Sequence, residues 1–252
     1  MSSLRGASTR LDRLRMNPNQ RPAPMQIALD GPSASGKSTV GAMLAERLGC
    51  DFLDTGMMYR AVTYIGTQNR ICLEDSEAFG NIAANTSFAI NRHENGDWRL
   101  CADGQDVTDH LYSEEVNFNV SPVSALPAVR RSLVRQQRDI ASAGLVVMAG
   151  RDIGTVVLPD AHAKFFLTAS AETRAERRTK DTDGQIYQEV LQSIERRDKI
   201  DSSRADSPLR AAEDAVTIVT DGLTAEEVVE EILTQLPVDA SRAAAPLATG
   251  GA

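Results

Sequence analysis

One short pattern constrains the fold of this chain more than any other feature. It is G-x-x-x-x-G-K-[ST], and it is matched by Gly31-Pro32-Ser33-Ala34-Ser35-Gly36-Lys37-Ser38. A short apolar run over residues 26–30 precedes it, and apolar residues recur at helical spacing from Val40 to Leu48, with Gly49 after them as a stop. The pattern binds phosphate where a strand precedes it and a helix follows, and the sequence predicts that setting.

The residue types of this loop suit the phosphates of a nucleotide. Glycines let backbone N–H groups approach phosphate oxygens, and the following helix points its positive end at the anion. Lys37 supplies a point charge to the β- and γ-phosphates, and the hydroxyl of Ser38 can reach Mg²⁺. The predicted nucleotide-binding residues are Gly31, Pro32, Ser33, Ala34, Ser35, Gly36, Lys37, Ser38 and Thr39.

Short apolar runs alternate with helical patterns along the chain. The runs lie at residues 26–30, 52–53, 145–149, 164–169 and 215–220. Such runs are typical of parallel strands that are covered on both faces. The predicted fold class is therefore α/β, a P-loop NTPase-type parallel sheet with helices on both faces. A capping box of Thr224 and Glu227 indicates where the last helix begins.

One segment, within roughly residues 80–125, breaks this alternation of strands and helices. Apolar and polar residues alternate over 88–90 and again over 98–102, with Asn95-Gly96 between the two stretches. Asn-Gly between alternating stretches is a strong hairpin signal, and Asp103-Gly104 can turn the chain once more. We expect a small antiparallel β insertion in this segment.

Both ends of the chain differ from the domain predicted at residues 25–237. Residues 1–24 hold five arginines and one aspartate, a composition found in mitochondrial targeting peptides. We favour a disordered tail or an overlong gene start ahead of Met25. Residues 238–252 are rich in Ala, Gly and Pro and are also predicted to be disordered.

Composition excludes several classes of protein. Lys and Arg number 27 against 35 Asp and Glu, a net charge of −8, which argues against nucleic-acid binding. No apolar run approaches the ~18 residues of a membrane span. The three cysteines, Cys50, Cys72 and Cys101, lie far apart in the sequence, which argues against a disulfide framework and against a zinc knuckle. We expect them to be reduced, as cysteines of cytoplasmic proteins are. We expect a monomer without nucleic-acid or membrane partners.

Several arginines indicate a second anion besides the nucleotide. Arg60 and Arg151 each follow an apolar run, and ligands of doubly wound folds bind beyond the carboxyl ends of strands. Arg174, Arg177 and Arg178 are spaced so that one helix face carries all three. Arg–phosphate contacts can be bidentate, so this distribution favours a phosphate-bearing acceptor.

Four motifs in this order resemble the bacterial cytidylate kinases of the nucleoside monophosphate kinase superfamily. They are Leu29-Asp30 leading into the phosphate loop, Asp54-Thr55-Gly56 with Tyr59-Arg60, Gly150-Arg151-Asp152-Ile153-Gly154-Thr155-Val156-Val157, and Arg197-Asp198 with Asp201 and Arg204. The resemblance covers about residues 25–236. It implies ATP-dependent phosphorylation of CMP and dCMP with Mg²⁺, in pyrimidine nucleotide metabolism. It also implies a monophosphate-binding region at the insertion and a helical lid near residues 171–185.

The resemblance assigns roles to individual residues. The implied CMP-binding residues are Thr55, Tyr59, Arg60, Ser121, Arg130, Arg151, Asp152, Arg197, Asp201 and Arg204. Among them Ser121, Arg130 and Asp152 would read the cytosine, Asp201 would contact the sugar hydroxyls, and the other arginines would hold phosphates. The implied catalytic residues are Lys37, Arg151, Arg174 and Arg178.

Two positions depart from the family pattern. Ala149 stands where the family usually has an acidic residue, which would remove a carboxylate from the Mg²⁺ water shell. Met57 replaces a usual small residue, and we expect it to tighten the acceptor pocket.

The residues leave two other functions open. A P-loop kinase for an alcohol, of the shikimate or gluconate type, would gain from a carboxylate base, with Asp54 or Asp152 as candidates. A nucleotide-binding regulator without turnover is supported only by Ala149. A GTPase switch is not expected, because there is no N-K-x-D motif and D-x-x-G occurs only at residues 181–184, away from any suitable strand.

Overall fold

The computed structural model describes residues 25–93, 96–142, 144–181 and 186–236. Its strands and helices are β1 (Gln26–Asp30), α1 (Lys37–Leu48), β2 (Asp51–Asp54), α2 (Thr55–Gln68), α3 (Ser76–Asn85), β3 (Phe88–Arg92), β4 (Trp98–Ala102), β5 (Gln105–Asp106), α4 (Glu114–Ser124), α5 (Pro127–Ala141), β6 (Val146–Gly150), β7 (Ala163–Thr168), α6 (Ala171–Asp181), α7 (Tyr187–Ser203), β8 (Val216–Val219) and α8 (Ala225–Gln235). A 3₁₀ turn lies at Thr108–His110 and a π-helical turn at Ile153–Val157.

A five-stranded sheet in the order β2-β6-β1-β7-β8 forms the centre of the domain. Every neighbouring pair in it is parallel. Each of the five predicted apolar runs overlaps one of these strands, so the predicted parallel α/β sheet is confirmed. Because β1 is central, the loop that follows it opens at the middle of the sheet edge.

Helices cover both faces of this sheet, and alternation along the strands explains why. Ile27 and Leu29 of β1 pack in one cluster with Leu44 of α1, whereas Ala28 packs in the other with Met58 of α2. Successive strand residues point to opposite faces, so a continuous apolar run supplies both clusters. The core thereby holds α1 and α8 on one face and α2 on the other.

The predicted antiparallel insertion is also confirmed. Strands β3, β4 and β5 form a three-stranded antiparallel sheet, with Phe88 opposite Ala102. Asp103 and Gly104 turn the chain from β4 to β5 with φ of 49° and 82°. The turn predicted at Asn95-Gly96 falls partly outside the described residues, because Asn95 does.

Two glycines of the phosphate loop are required by its geometry. Gly31 has φ of 150°, and a Cβ there would lie 2.0 Å from the carbonyl oxygen of Leu167. Gly36 precedes α1 with φ of 92° and supplies no side-chain cap. The first-turn N–H groups of α1 therefore remain available to an anion. The predicted helix end at Gly49 and the capping box of Thr224 and Glu227 are both confirmed.

Some predictions fall outside the described residues. They concern the tails at residues 1–24 and 238–252 and the lid residues 182–185, so the domain limits stay predictions. In the described part of the chain, no helix is long and apolar enough to cross a bilayer.

Candidate active site

A cavity of about 810 Å³ opens at the carboxyl ends of β1, β2 and β6. The phosphate loop forms one side, and the acceptor residues implied by the family pattern form the other. The predicted residues that line it are Ser33, Ala34, Ser35, Gly36, Lys37, Ser38, Thr39, Thr55, Tyr59, Arg60, Ser121, Arg130, Arg151, Asp152, Arg178, Arg197, Asp201 and Arg204. Predicted residues from well-separated segments are thus brought to one cavity, although Gly31, Pro32 and Arg174 are not part of its lining.

Lys37 is folded back into the phosphate loop. Its Nζ donates to the carbonyl oxygen of Pro32 at 2.5 Å and to Oγ of Ser35 at 3.1 Å. Burial, together with the charge of Arg151, holds the pKa of Lys37 well below its usual range. A phosphate bound in the loop would bring further negative charge to this buried lysine.

Ser38 and Asp54 meet beside the loop. The Ser38 hydroxyl donates to the Asp54 carboxylate at 2.5 Å, and Asp54 also accepts from the backbone N–H of Gly56 at 2.9 Å, which caps α2. Ala149 is the register neighbour of Asp54 on β6, and its carbonyl oxygen accepts from the hydroxyl of Thr55 at 2.9 Å. A carboxylate therefore stands next to Ser38 although position 149 has none.

Asp30 joins β1 to the Gly150–Gly154 motif. Its two carboxylate oxygens accept from the backbone N–H groups of Ile153 and Gly154, each at 2.7 Å. Burial raises the pKa of Asp30 to about 6, despite these bonds. The contact fixes the segment that carries Arg151 and Asp152, and it is a role for Asp30 that the sequence did not reveal.

Arg130 and Asp152 form a buried ion pair at the far end of the cavity from the loop. Their side chains are only 3% and 5% exposed. The Arg130 guanidinium lies 5.6 Å from the ring centre of Tyr59, and Ser121 is buried at the same cavity. Burial raises the pKa of Tyr59 to about 12. These groups can read the edge of a planar, polar ligand.

Arginines crowd the middle of the cavity without enough carboxylates to balance them. Arg151 donates through Nε to Asp201 at 2.8 Å, and Arg204 lies 4.0 Å from the same carboxylate. Burial alone would raise the pKa of Asp201, but Arg151 and Arg204 hold it below its usual value. One carboxylate is thus shared by two guanidinium groups.

The remaining arginines of the cluster have no carboxylate partner in the described residues. Burial lowers the pKa of Arg60 to about 10 and that of Arg197 to about 9, and repulsion from neighbouring arginines contributes to both. Nε and Nη1 of Arg197 are buried without a hydrogen-bond partner there. Such groups are typical of a site built for a polyanion.

Helix α6 lies in the segment that is predicted to be a lid. Arg174, predicted to be catalytic, packs inward and donates to the carbonyl oxygens of Ala169 at 3.0 Å and Ser33 at 3.1 Å, and to Asp198 at 2.6 Å. Its side chain is buried against the phosphate loop and does not line the cavity, and its catalytic role stays a prediction. Arg178, one turn later, does line the cavity.

Met57 corrects one expectation. It packs in the core cluster and is absent from the cavity lining, so it does not tighten the acceptor pocket. Several cavity residues were not predicted as site residues, and Asn117, Arg177 and Lys180 are among them. Arg177 donates to the hydroxyl of Thr220 at 2.9 Å. The described residues hold no cluster of three or more His, Cys, Asp or Glu side chains that could bind a metal.

A lysine-bearing glycine-rich loop after the central parallel strand, facing an arginine cluster in the same cavity, defines a P-loop kinase with an anionic acceptor. The family model for cytidylate kinase matches residues 27–237. The chain belongs to the cytidylate kinase family.

Relatives agree with this assignment. The chain is 47% identical to a cytidylate kinase of Streptococcus suis over 197 residues, covering 77% of this chain and 88% of the relative. It is 48% identical to that of Mycolicibacterium paratuberculosis over 197 residues, covering 76% and 86% of the two chains.

Among solved structures, a gluconokinase of Sinorhizobium meliloti aligns with a TM-score of 0.45 at 17% identity, and the alignment covers 89% of this chain and 95% of the gluconokinase.

Proposed function

We propose that this protein transfers the γ-phosphoryl group of Mg²⁺·ATP to the phosphate of CMP and dCMP, giving the diphosphates. The observation that carries the proposal is the under-neutralised arginine cluster of Arg60, Arg151 and Arg197, in one cavity with the phosphate loop. Membership of the cytidylate kinase family agrees with CMP as acceptor.

The loop residues fit ATP with Mg²⁺. Free N–H groups at the start of α1 and the buried ammonium of Lys37 suit the β- and γ-phosphates. The hydroxyl of Ser38 and the carboxylate of Asp54 are oxygen donors of the kind that Mg²⁺ prefers, directly or through water. Bound there, Mg²⁺ would neutralise charge on the transferring phosphates. Asp54 would then serve where Ala149 offers no carboxylate.

The arginines suit the acceptor phosphate. A phosphate monoester has a second pKa of about 6 and is mostly a dianion at pH 7, so it needs no general base. What limits the reaction is bringing two polyanions together. Arg60, Arg151 and Arg197 supply the charge for that, and Arg178 from the lid faces the same cavity.

The cytosine would bind at the Arg130–Asp152 pair with Ser121, and the sugar hydroxyls near Asp201. A charged pair held in a dry pocket can both donate to and accept from a base edge, which is the basis of selection among bases. Closure of the lid would exclude water from the transferring group.

An alcohol kinase fits these contacts less well. Asp152, one candidate base, is paired with Arg130, and Asp54, the other, is bonded to Ser38 and Gly56. Shikimate or gluconate would also bring only one carboxylate charge to the arginine cluster, whereas a phosphate monoester is mostly a dianion at pH 7. The proposal includes a monomer acting in the cytoplasm, which light scattering and cell fractionation test.

Measurement of ADP release from Mg²⁺·ATP with CMP, dCMP, UMP, AMP, GMP and shikimate tests the proposal. We expect fast turnover with CMP and dCMP and little with the others. Turnover with a different monophosphate would overturn the base-reading residues, and turnover with shikimate alone would overturn the acceptor class.

A further inference from the structure

Asn117 of α4 connects two arginines that come from different parts of the chain. Its Oδ1 accepts from Nη1 of Arg60 at 2.8 Å and from Nη2 of Arg178 at 3.2 Å. Arg60 belongs to α2 on the acceptor side, and Arg178 belongs to the lid helix α6. A single amide oxygen therefore joins the acceptor side to the lid.

The amide is itself held in place from two sides. Its Nδ2 donates to the backbone carbonyl of Tyr112 at 2.7 Å, which sets which end of the amide faces the arginines. The Tyr112 ring lies 4.6 Å from the guanidinium of Arg60. The next residue, Phe118, lies under the guanidinium of Arg196 of α7 at 4.4 Å, so this turn of α4 is attached to α7.

The chemistry of an amide at this point differs from that of a carboxylate. A neutral oxygen satisfies N–H donors but does not cancel their charge. Burial lowers the pKa of both Arg60 and Arg178, and Arg151 repels each of them. A carboxylate here would relieve that repulsion, whereas the amide leaves the positive charge for a ligand.

The geometry also leaves donors free. Within the described residues, both hydrogen bonds of Arg60 leave from Nη1, to Asn117 and to the carbonyl oxygen of Leu111. Nε and Nη2 of Arg60 and most donors of Arg178 therefore remain for an anion in the cavity that both residues line.

We propose that Asn117 is a positioning residue that holds Arg60 and Arg178 together as one binding unit for the acceptor phosphate. It acts through a neutral oxygen, so the pair keeps its full charge before substrate arrives. The inference rests on the proposed function and adds a residue that couples acceptor binding to the lid.

Asn117→Asp tests this with almost no change of shape. The new carboxylate would occupy the two guanidinium groups and compete with the acceptor phosphate, and we expect CMP affinity by calorimetry to fall about 10-fold or more. Cytidine, which lacks the phosphate, should bind with unchanged affinity. The KM for CMP should rise in parallel, while the KM for ATP stays within about two-fold.

Asn119→Asp is the matched control. Asn119 is on the same helix, two residues on, and makes no hydrogen bond to either arginine in the described part of the chain, so CMP affinity should stay within about two-fold. If Asn117→Asp does not fold, Asn117→Ala tests the same role. For that variant we expect the affinity for CMP to fall several-fold and the affinity for cytidine to stay unchanged.

Equal loss of CMP and cytidine binding, or no loss of either, would overturn the role of Asn117. Failure of the wild-type protein to phosphorylate CMP would instead overturn the proposed function, so the two failures are distinguishable.

Discussion

The carboxylate of Asp30 accepts a 2.7 Å hydrogen bond from the backbone N–H of Gly154, although 124 residues separate the two in sequence. It ties the last residue of β1, which leads into the phosphate loop, to the segment that carries Arg151. One buried carboxyl group thus fixes the position of the phosphate loop relative to the segment that carries Arg151. The pKa of that group is raised by burial from 3.8 to about 6.

This raised pKa makes a prediction about stability. The folded protein holds the Asp30 proton more tightly than the unfolded chain does, so this group's contribution to the free energy of unfolding falls as pH rises from about 4 to about 6. The shift corresponds to about 3 kcal/mol. Urea unfolding across this range gives the free energy of unfolding of wild type and of Asp30→Asn. The value for wild type minus the value for the variant should fall with rising pH. A difference that stays constant would contradict this, and Asp160→Asn, at an exposed position, serves as the control.

Asp54→Asn should change the response to Mg²⁺. Asparagine still caps α2, but it offers Mg²⁺ a weaker ligand, so half-saturating Mg²⁺ should rise roughly ten-fold. High Mg²⁺ should restore turnover, whereas loss of a general base would not be restored. Asp51→Asn, at the other end of β2, should leave the Mg²⁺ titration unchanged. An unaltered titration in Asp54→Asn would remove Asp54 from the metal site.

The buried Arg130–Asp152 pair should show strong coupling. Arg130→Met leaves a buried, unpaired carboxylate and should lower the free energy of unfolding by about 3–5 kcal/mol. Adding Asp152→Leu should recover much of that stability without restoring CMP turnover. Arg47→Met breaks an exposed pair, 56% and 58% exposed, and should cost less than about 1 kcal/mol. Additive effects at 130 and 152 in denaturant unfolding would contradict the coupling.

Arg174 and Arg178 should separate structure from catalysis. Arg174→Ala removes donors to Ser33 and Asp198, so we expect a loss of about 1–3 kcal/mol of stability and a higher KM for ATP. Arg178→Ala should lower kcat with CMP while thermal unfolding stays near that of wild type. The reverse pattern would support the predicted catalytic role of Arg174.

Local patterns predicted the parts of the fold that depend on neighbouring residues. The strand, loop and helix around Lys37 are contiguous, and each has its own signal in periodicity or glycine placement. The hairpin of β3 and β4 is likewise a local structure, and its alternation was visible.

Contacts between distant segments were not predictable in the same way. Spacing places Arg174 and Arg178 on one face of α6, but only packing decides that Arg174 is buried and that Arg178 lines the cavity. Asn117 meets arginines 57 and 61 residues away, and nothing in its immediate sequence distinguishes it from Asn119. The resemblance to a family assigned roles only at positions that match the family's motifs.

The central claim is that unpaired arginines form the acceptor-phosphate site, and Arg197 tests it most directly. Calorimetry should compare CMP and cytidine binding to wild type, Arg197→Ala and the exposed control Arg210→Ala. We predict that Arg197→Ala weakens CMP binding by about 10- to 100-fold and leaves cytidine binding unchanged, with Arg210→Ala resembling wild type. CMP binding that survives in Arg197→Ala, or cytidine binding that falls with it, would contradict the account.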